Sequence, residues 1–263
     1  MSEALWQPRE DFIPVLGHRG ICAKFPENTL VSFDAAIELG CDLIEFDINI
    51  TKDGVPVVIH DNTIDRTCIG HTGAVRDYTL DELKAFDFSA QFADSFKNTP
   101  IPTLREVLER GAKNPKLCYN IEIKDYTEEC VDKTMLLVRE FGISERVVIA
   151  SFSVDVLLYT QEKYPEMRTQ GFPPFFMKNA PMEMYDRMYG IGIPIAWSRE
   201  NMNIDEAIAA DVAFAREHNI LPWLFSADTE EDVLLCVKHG CANITGNNPE
   251  IALNTLRRIG KHQ

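Results

Sequence analysis

Ionisable side chains lie at or near the ends of four short apolar runs in this sequence. The four segments are Gly17-His18-Arg19-Gly20, Glu45-Phe46-Asp47, His60-Asp61 and Glu122-Ile123-Lys124. Each apolar run is typical of a β-strand, so we expect three carboxylates, two imidazoles, one guanidinium and one ammonium to meet at one end of a sheet. This set of groups suits a divalent cation, an acid–base pair and a phosphate.

The carboxylates of Glu45 and Asp47 are two residues apart, so on a strand they point to the same face. Their neighbours in the sequence are apolar, which predicts a buried strand rather than a solvated strand face. Two buried carboxylates are costly unless a cation or a base neutralises them. Glu122, near the end of the next βα strand, adds a third. Carboxylate oxygens without clustered thiols or imidazoles predict a hard cation, Mg²⁺ or Ca²⁺, as cofactor.

His18 and His60 each end a predicted strand. Gly17 and Gly20 flank the first histidine and allow a tight turn or a close approach to a ligand. Asp61 follows the second histidine and either orients its ring or begins the next loop. Because an unperturbed imidazole has a pKa of about 6.5, the pair can serve as acid and base near neutral pH.

Arg19 and Lys124 are the predicted phosphate contacts. The chain has a formal net charge of −15, so a phosphate needs a local positive centre. The alternative is that both cations pair with the carboxylates, but a bound metal ion would already balance those charges. The acidic composition argues against nucleic acid and anionic membrane surfaces as partners.

Strand-like runs alternate with amphipathic segments along most of the chain. The strand candidates are 13–17, 42–48, 55–60, 117–123, 146–151, 167–172, 193–197, 220–225 and 242–246. Helical periodicity is clear over 29–39 and 128–141. Helix starts are marked by Thr79 with Glu82, by Thr103 with Glu106 and, more weakly, by Thr229 with Asp232.

Nine strands are one more than an eight-stranded barrel takes. Residues 49–54 are too few for a crossover helix, and Asp53-Gly54 is a strong hairpin signal. We therefore predict that 55–60 returns antiparallel, as an extra hairpin arm after the second strand of a (β/α)8 TIM barrel. A two-residue turn would place Asp47 opposite His60, whereas a three- or four-residue loop would slip this register by one or two. We expect one domain over residues 1–263.

The N-terminal residues lack the basic region and apolar run of a secretion signal, and no stretch is long enough to span a membrane. The seven cysteines are odd in number and form no CxxC pair, which favours reduced, buried thiols over disulfides or a zinc site. We expect a cytoplasmic protein without stable membrane insertion. A homo-oligomer is compatible with the sequence, which does not reveal the oligomeric state.

Together these motifs resemble the glycerophosphodiester phosphodiesterase family, and the likeness runs over most of the chain. The matching segments are 18–20, Pro26-Glu27-Asn28-Thr29, Glu45-x-Asp47, 51–61 (TKDGVPVVIHD), Asp65-Arg66-Thr67, Ile101-Pro102-Thr103-Leu104 and Asn120-Ile121-Glu122-Ile123-Lys124. The resemblance implies a metal-dependent (β/α)8 hydrolase that converts glycerophosphodiesters to glycerol 3-phosphate and an alcohol.

The resemblance also implies roles for individual residues. The metal ligands would be Glu45, Asp47 and Glu122, the acid–base pair His18 and His60, and the phosphate contacts Arg19 and Lys124. In the implied mechanism the glycerol 2-hydroxyl attacks phosphorus, and water then opens the cyclic phosphate. The order in which the histidines act is not readable from the sequence.

The C-terminal third departs from the family pattern. Trp223 resembles the tryptophan of the eighth-strand motif, which would wall the glycerol site, or it is a core aromatic. The segment 244–249 (ITGNNP) lacks the family's acidic turn residue, so we expect no catalytic role for it. The apolar segment 171–177 (GFPPFFM) would line an alcohol pocket, form a packed lid or make a dimer contact, and we favour an exposed or semi-exposed lip.

Two other functions remain as alternatives. A lysophospholipase D-type enzyme would use the same site on lysophospholipids, and the Phe-rich segment would favour it. A non-catalytic glycerophosphodiester-binding barrel would have lost a histidine or an acid, and none is missing. The head group and the choice between Mg²⁺ and Ca²⁺ cannot be predicted from the sequence.

Overall fold

Eight parallel strands close into a barrel in the part of the chain that the computed structural model describes, residues 9–195 and 203–263. The strands are β1 Val15–His18, β2 Leu43–Ile50, β3 Pro56–Val58, β4 Cys118–Ile123, β5 Val147–Ala150, β6 Arg168–Gly171, β7 Gly190–Pro194, β8 Leu221–Phe225 and β9 Asn243–Gly246. All but β3 belong to the barrel, in chain order, and β1 closes it by pairing with both β2 and β9. The predicted (β/α)8 TIM barrel is confirmed.

Helices connect consecutive strands, as parallel neighbours require. The described helices are α1 Leu30–Leu39, α2 Leu80–Lys84, α3 Leu104–Gly111, α4 Glu128–Glu140, α5 Val154–Lys163, α6 Met182–Tyr185, α7 Ile204–Glu217, α8 Glu230–His239 and α9 Pro249–Arg258. None of them is long and apolar enough to cross a lipid bilayer.

The predicted capping signals begin helices in the structure. The Thr79–Glu82 and Thr103–Glu106 capping boxes are complete at α2 and α3. The Thr229–Asp232 pair, the weaker of the three in sequence, is also a complete box at α8. Each box satisfies backbone N–H groups that the first helical turn leaves unpaired, which fixes where the helix starts.

The hairpin arm is present, but its register differs from that of a two-residue turn. Strand β3 runs antiparallel to the end of β2, with Ile48 opposite Val58 and Asn49 opposite Val57. The predicted pairing of Asp47 with His60 is therefore wrong, and the main-chain carbonyl of Asp47 accepts a hydrogen bond from Ile59 N instead, at 3.0 Å.

A three-residue loop causes this one-residue slip, in agreement with the sequence-based alternative of a three- or four-residue loop. The N–H of Thr51 donates to the carbonyl of Val55 at 3.1 Å, which leaves residues 52–54 in the loop. The hydroxyl of Thr51 accepts from Val55 N and donates to Asp53 Oδ1, and Gly54 takes a left-handed φ of 78°. These side-chain bonds stabilise the wider loop over the two-residue turn.

Strand β7 also lies three residues earlier than the predicted 193–197, and residues 196 and 197 lie outside the described part of the chain. The two glycines of β7 weaken its apolar pattern in sequence, but packing requires them. A Cβ on Gly192 would lie 2.7 Å from Gln170 Nε2, and one on Gly190 would lie 3.2 Å from the Trp223 ring. Sequence pattern alone gives no sign of this crowding.

An apolar plug occupies part of the barrel interior. Its buried members are Leu16, Leu43, Cys118, Val148, Trp223 and Ala242. Most of them lie near the N-terminal ends of their strands, so the polar side chains further along β1, β2 and β4 gather at the C-terminal end of the barrel. That end is where barrels of this class carry their functional sites.

All seven cysteines are free thiols, as predicted.

Candidate active site

The strand register brings the predicted site residues together. His18 on β1 lies beside Glu45 on β2, and Asp47 lies beside Glu122 on β4. One oxygen from each of the three carboxylates lies within 4.8 Å of the others. Because the parallel strands pair in this register, carboxylates more than 70 residues apart in the sequence form a single acidic cluster.

The carboxylate cluster fits a divalent cation. Glu45, Asp47 and Glu122 are only 5%, 1% and 9% exposed. Burial, followed by repulsion from Asp47 and Glu122, raises the pKa of Glu45. Burial also raises the pKa of Glu122, although the nearby charge of Lys124 opposes this increase. Asp47 Oδ1 is buried and accepts no hydrogen bond from any described residue. Converging hard carboxylate oxygens, with one buried oxygen free of hydrogen bonds, are the kind of donor set that such an ion requires.

Arg19 contacts the cluster through its backbone and its side chain. Its left-handed φ of 52° accompanies a hydrogen bond from its N–H to Glu45 Oε2 at 3.0 Å. Its Nε lies 3.3 Å from Asp47 Oδ2. Gly20 is required after it, because a Cβ there would lie 2.2 Å from Ser32 Oγ. The glycine-flanked turn therefore brings Arg19 against the carboxylate cluster.

Lys124 also contacts the cluster, through its ammonium group. Its Nζ is 2.5 Å from Glu122 Oε1 and 3.6 Å from Asp47 Oδ1. Burial alone would raise the pKa of Asp47, but the nearby charges of Arg19 and Lys124 hold it below its ordinary value. Both cations pair with carboxylates here, as the salt-bridge alternative has it.

The two histidines carry different partners on Nδ1. His60 Nδ1 lies 2.6 Å from Asp61 Oδ1, which is the orienting contact that the sequence left open. His18 Nδ1 lies 2.6 Å from Asn247 Oδ1, and its Nε2 faces Glu45 Oε2 at 3.9 Å. Burial and the adjacent Arg19 lower the pKa of His18 to about 4. Burial also lowers the pKa of His60.

Residues that support the site were not assigned roles from sequence. Glu27 accepts hydrogen bonds from Arg19 and Arg66, and Arg66 also donates to Asp61. Asn28 donates to Asp47 Oδ2 at 2.8 Å. Their segments stood among the matched motifs, but which carboxylate each one contacts depends on loop conformation, which no sequence spacing encodes.

Asn247 and Asp228 were also missed. The segment 244–249 lacks an acid and was expected to have no catalytic role, yet Asn247 contacts His18 directly. The acid behind it is Asp228, 19 residues earlier, which accepts a hydrogen bond from Asn247 N at 2.7 Å. One signal for this contact was available in the sequence, which is the position of Asn247 directly after the predicted last strand.

A narrow cavity adjoins the cluster. Its walls include Glu45, Glu122, Gln170, Phe172 and Trp223. Trp223 is 3% exposed, and it belongs to the apolar plug as well as to the wall of this cavity.

The Phe-rich segment has a buried and an exposed part. Phe172 is buried and stacks on Phe152 with ring centroids 3.4 Å apart, and Lys124 Nζ lies 5.3 Å from the Phe152 ring. Phe175 is 61% exposed. The expected exposed lip therefore applies to Phe175, whereas Phe172 forms part of the cavity wall.

Comparison with known proteins agrees with this geometry. The family model described as the glycerophosphoryl diester phosphodiesterase family matches residues 18–251. A glycerophosphodiester phosphodiesterase from Caldanaerobacter subterraneus subsp. tengcongensis is 34% identical over 250 residues, which cover 94% of this chain and 98% of that protein.

Solved structures share the fold. A glycerophosphodiester phosphodiesterase from Agrobacterium tumefaciens is 26% identical with a TM-score of 0.76, over 92% of this chain and 99% of that one. An Oleispira antarctica phosphodiesterase in complex with the product sn-glycerol-3-phosphate is 21% identical with a TM-score of 0.80, over 94% and 97%. The family match over most of the sequence, carried on a barrel that gathers the predicted residues, shows that this chain belongs to the glycerophosphoryl diester phosphodiesterase family.

Proposed function

We propose that this chain is a metal-dependent glycerophosphodiester phosphodiesterase that hydrolyses glycerophosphodiesters to glycerol 3-phosphate and an alcohol. The observation that carries the proposal is the buried trio Glu45, Asp47 and Glu122, together with two oriented histidines that interact with it. The relative from Oleispira antarctica was solved with sn-glycerol-3-phosphate as its product, which supports the same product here.

The proposed metal ligands are Glu45, Asp47 and Glu122. A divalent ion held by them would supply Lewis-acid stabilisation of the charge that develops on the phosphoryl oxygens. We propose Mg²⁺ or Ca²⁺, because the donors are all hard carboxylate oxygens. Arg19 and Lys124 contact the same carboxylates and would bind the remaining phosphoryl oxygens.

His18 and His60 are the proposed acid–base pair. One Nε2 would accept the proton of the substrate's glycerol 2-hydroxyl as its oxygen bonds to phosphorus, and the other would protonate the oxygen of the departing alcohol. The roles then reverse when water opens the cyclic phosphate. The cavity wall formed by Phe172 and Trp223 would receive the glycerol carbons and exclude water from one face of the phosphorus.

A panel of substrates tests this proposal. Purified protein should release glycerol 3-phosphate from glycerophosphocholine or glycerophosphoethanolamine with Mg²⁺ or Ca²⁺ added separately, and a chelator should stop the release. Release of choline phosphate instead, or turnover unaffected by chelation, would contradict the proposed reaction.

A lysophospholipase D-type activity is the second candidate, because Phe175 presents an exposed ring near the site. The same panel extended to lysophosphatidylcholine distinguishes the two. A binding barrel without catalysis would retain ligand affinity and release no product.

We further propose that residues 1–263 act as one domain. A cytoplasmic location stays a prediction that rests on the seven free thiols.

A further inference from the structure

The ring of His18 is held by an amide rather than a carboxylate. Asn247 Oδ1 lies 2.6 Å from His18 Nδ1. An asparagine side chain has an acceptor end and a donor end, so the tautomer of the ring depends on which end faces it. If the oxygen faces Nδ1, the proton must be on Nδ1 and the lone pair on Nε2.

Asp228 decides the orientation of that amide. Its carboxylate accepts hydrogen bonds from Asn247 Nδ2, from Asn247 N at 2.7 Å and from Asn248 N at 3.2 Å. A carboxylate only accepts, so the NH₂ group of Asn247 must face Asp228 and the oxygen must face His18. The thiol of Cys22, 3.0 Å from the same oxygen, is a donor consistent with this orientation.

We propose that Asp228 and Asn247 are positioning residues that hold His18 as the Nδ1–H tautomer, with the Nε2 lone pair directed into the site. The chain of donors and acceptors runs from Asp228 through Asn247 to His18, and it ends at the Nε2 atom that faces Glu45. Its catalytic consequence rests on the proposed function, in which that Nε2 exchanges protons with substrate. The Asp228 carboxylate thereby acts on His18 through Asn247.

Tautomer measurement tests the proposal without any turnover. Protein labelled with ¹⁵N-histidine should show His18 with a protonated Nδ1 and an unprotonated Nε2 at neutral pH, with the signal assigned by its loss in His18→Gln. In Asp228→Asn the amide of residue 247 is no longer fixed, so we expect part or all of the His18 signal to change to the Nε2–H form. An Nε2–H signal in the wild-type protein would overturn the proposal.

Kinetics give a second readout. Asp228→Asn should lower kcat by about 10²-fold or more with little change in KM, as expected when a catalytic imidazole is left in the wrong tautomer. The exchange variant, Asp228→Asn with Asn247→Asp, again places an acceptor against His18 and a donor behind it. It should recover most of the lost kcat and the Nδ1–H signal, which a purely structural role of Asp228 would not explain.

Asp186→Asn is the matched control. Asp186 Oδ1 lies 2.8 Å from His218 Nδ1 at the surface, so its removal disturbs a comparable contact away from the site and should leave kcat unchanged. Wild-type kcat in Asp228→Asn, or an exchange variant no better than the single one, would contradict the proposal. A wild-type protein with the Nδ1–H signal that hydrolyses none of the substrates would refute the proposed function alone and leave the tautomer assignment supported.

Discussion

Arg66 binds the carboxylate of Glu27 through two parallel hydrogen bonds of 2.7 and 2.8 Å. Its Nε donates a third, at 2.7 Å, to Asp61, which orients His60. Glu27 also accepts from Arg19 at 2.9 Å. Burial would raise the pKa of Asp61, but hydrogen bonds from Arg66 and His60 lower it to about 2. One guanidinium thus links Asp61, the partner of His60, to Glu27, the partner of Arg19.

Replacement of Arg66 by lysine should therefore impair the enzyme despite the retained charge. An ammonium group cannot hold Glu27 at two points and Asp61 at a third, so both His60 and Arg19 lose a fixed neighbour. We expect kcat/KM for glycerophosphocholine to fall by about tenfold or more. Arg105→Lys is the control, since Arg105 makes a similar two-point contact with Glu140 at the surface. Equal kinetics in the two variants would contradict the role of Arg66.

Removal of the metal ion should abolish activity and change stability. A cation held by Glu45, Asp47 and Glu122 offsets their mutual repulsion, so Mg²⁺ or Ca²⁺ should raise the melting temperature of chelated protein. Glu45→Gln should lower kcat by about 10²-fold or more and remove most of this metal-dependent shift. Surface Glu109→Gln should preserve both. Unchanged turnover in Glu45→Gln would refute the metal assignment.

Loss of either histidine should be severe because the proposed acid and base are both needed in each half of the reaction. His18→Ala and His60→Ala should each reduce kcat by about 10²-fold or more in steady-state assays. His218→Ala, which removes a histidine that pairs with Asp186, should retain the wild-type rate. A variant at position 18 or 60 with that same rate would exclude the residue from the mechanism.

The exposed ring of Phe175 should affect the choice of leaving alcohol. If the Phe-rich segment lines the path of the head group, Phe175→Ala should change the relative kcat/KM values for glycerophosphocholine, glycerophosphoethanolamine and lysophosphatidylcholine. Leu136→Ala is matched for exposure, at 64% against 61%. It lies on α4 in a different groove. An unchanged order of preference in Phe175→Ala would exclude this segment from head-group selection.

His262, near the end of the chain, should make stability depend on pH. Its Nε2 lies 2.9 Å from Asp42 Oδ2, and that oxygen also accepts from Val15 N. Burial lowers the pKa of His262, but the hydrogen bonds to Asp42 and to the Gln263 carbonyl together raise it by a larger amount. The pKa of His262 is therefore raised above its ordinary value. Because the pKa of this histidine is higher in the folded than in the unfolded protein, its protonation stabilises the fold. The stabilisation is complete at pH values below the unfolded-state pKa of about 6.5, and it is lost as the pH rises through the folded-state pKa.

His262→Gln should accordingly lower the melting temperature more at pH 5.5 than at pH 9. The comparison variant is His71→Gln, which removes an exposed ring stacked on Phe86. A larger loss at pH 9 than at pH 5.5 would have the wrong sign for this contact and would refute it.

Much of the fold was predictable because its signals are local. Alternating apolar runs and amphipathic segments indicated the βα units, and threonine–acid pairs marked three helix starts. The shortness of residues 49–54 separated the hairpin arm from the barrel strands. Two features escaped prediction. The register of that arm depends on Thr51, whose side-chain bonds stabilise the wider loop. The start of β7 depends on Gly190 and Gly192, which leave room for Trp223 and Gln170 on the adjacent strands β8 and β6.

The sequence by itself determined which groups carry the chemistry, because carboxylates, imidazoles and cations at strand ends must converge once parallel strands pair. Tertiary structure alone decided how each group is held. Asp61 follows His60 directly and could be named as its partner from sequence, whereas Asn247 reaches His18 only because β9 closes the barrel against β1. A contact made across that closure depends on barrel geometry and leaves no trace in sequence spacing.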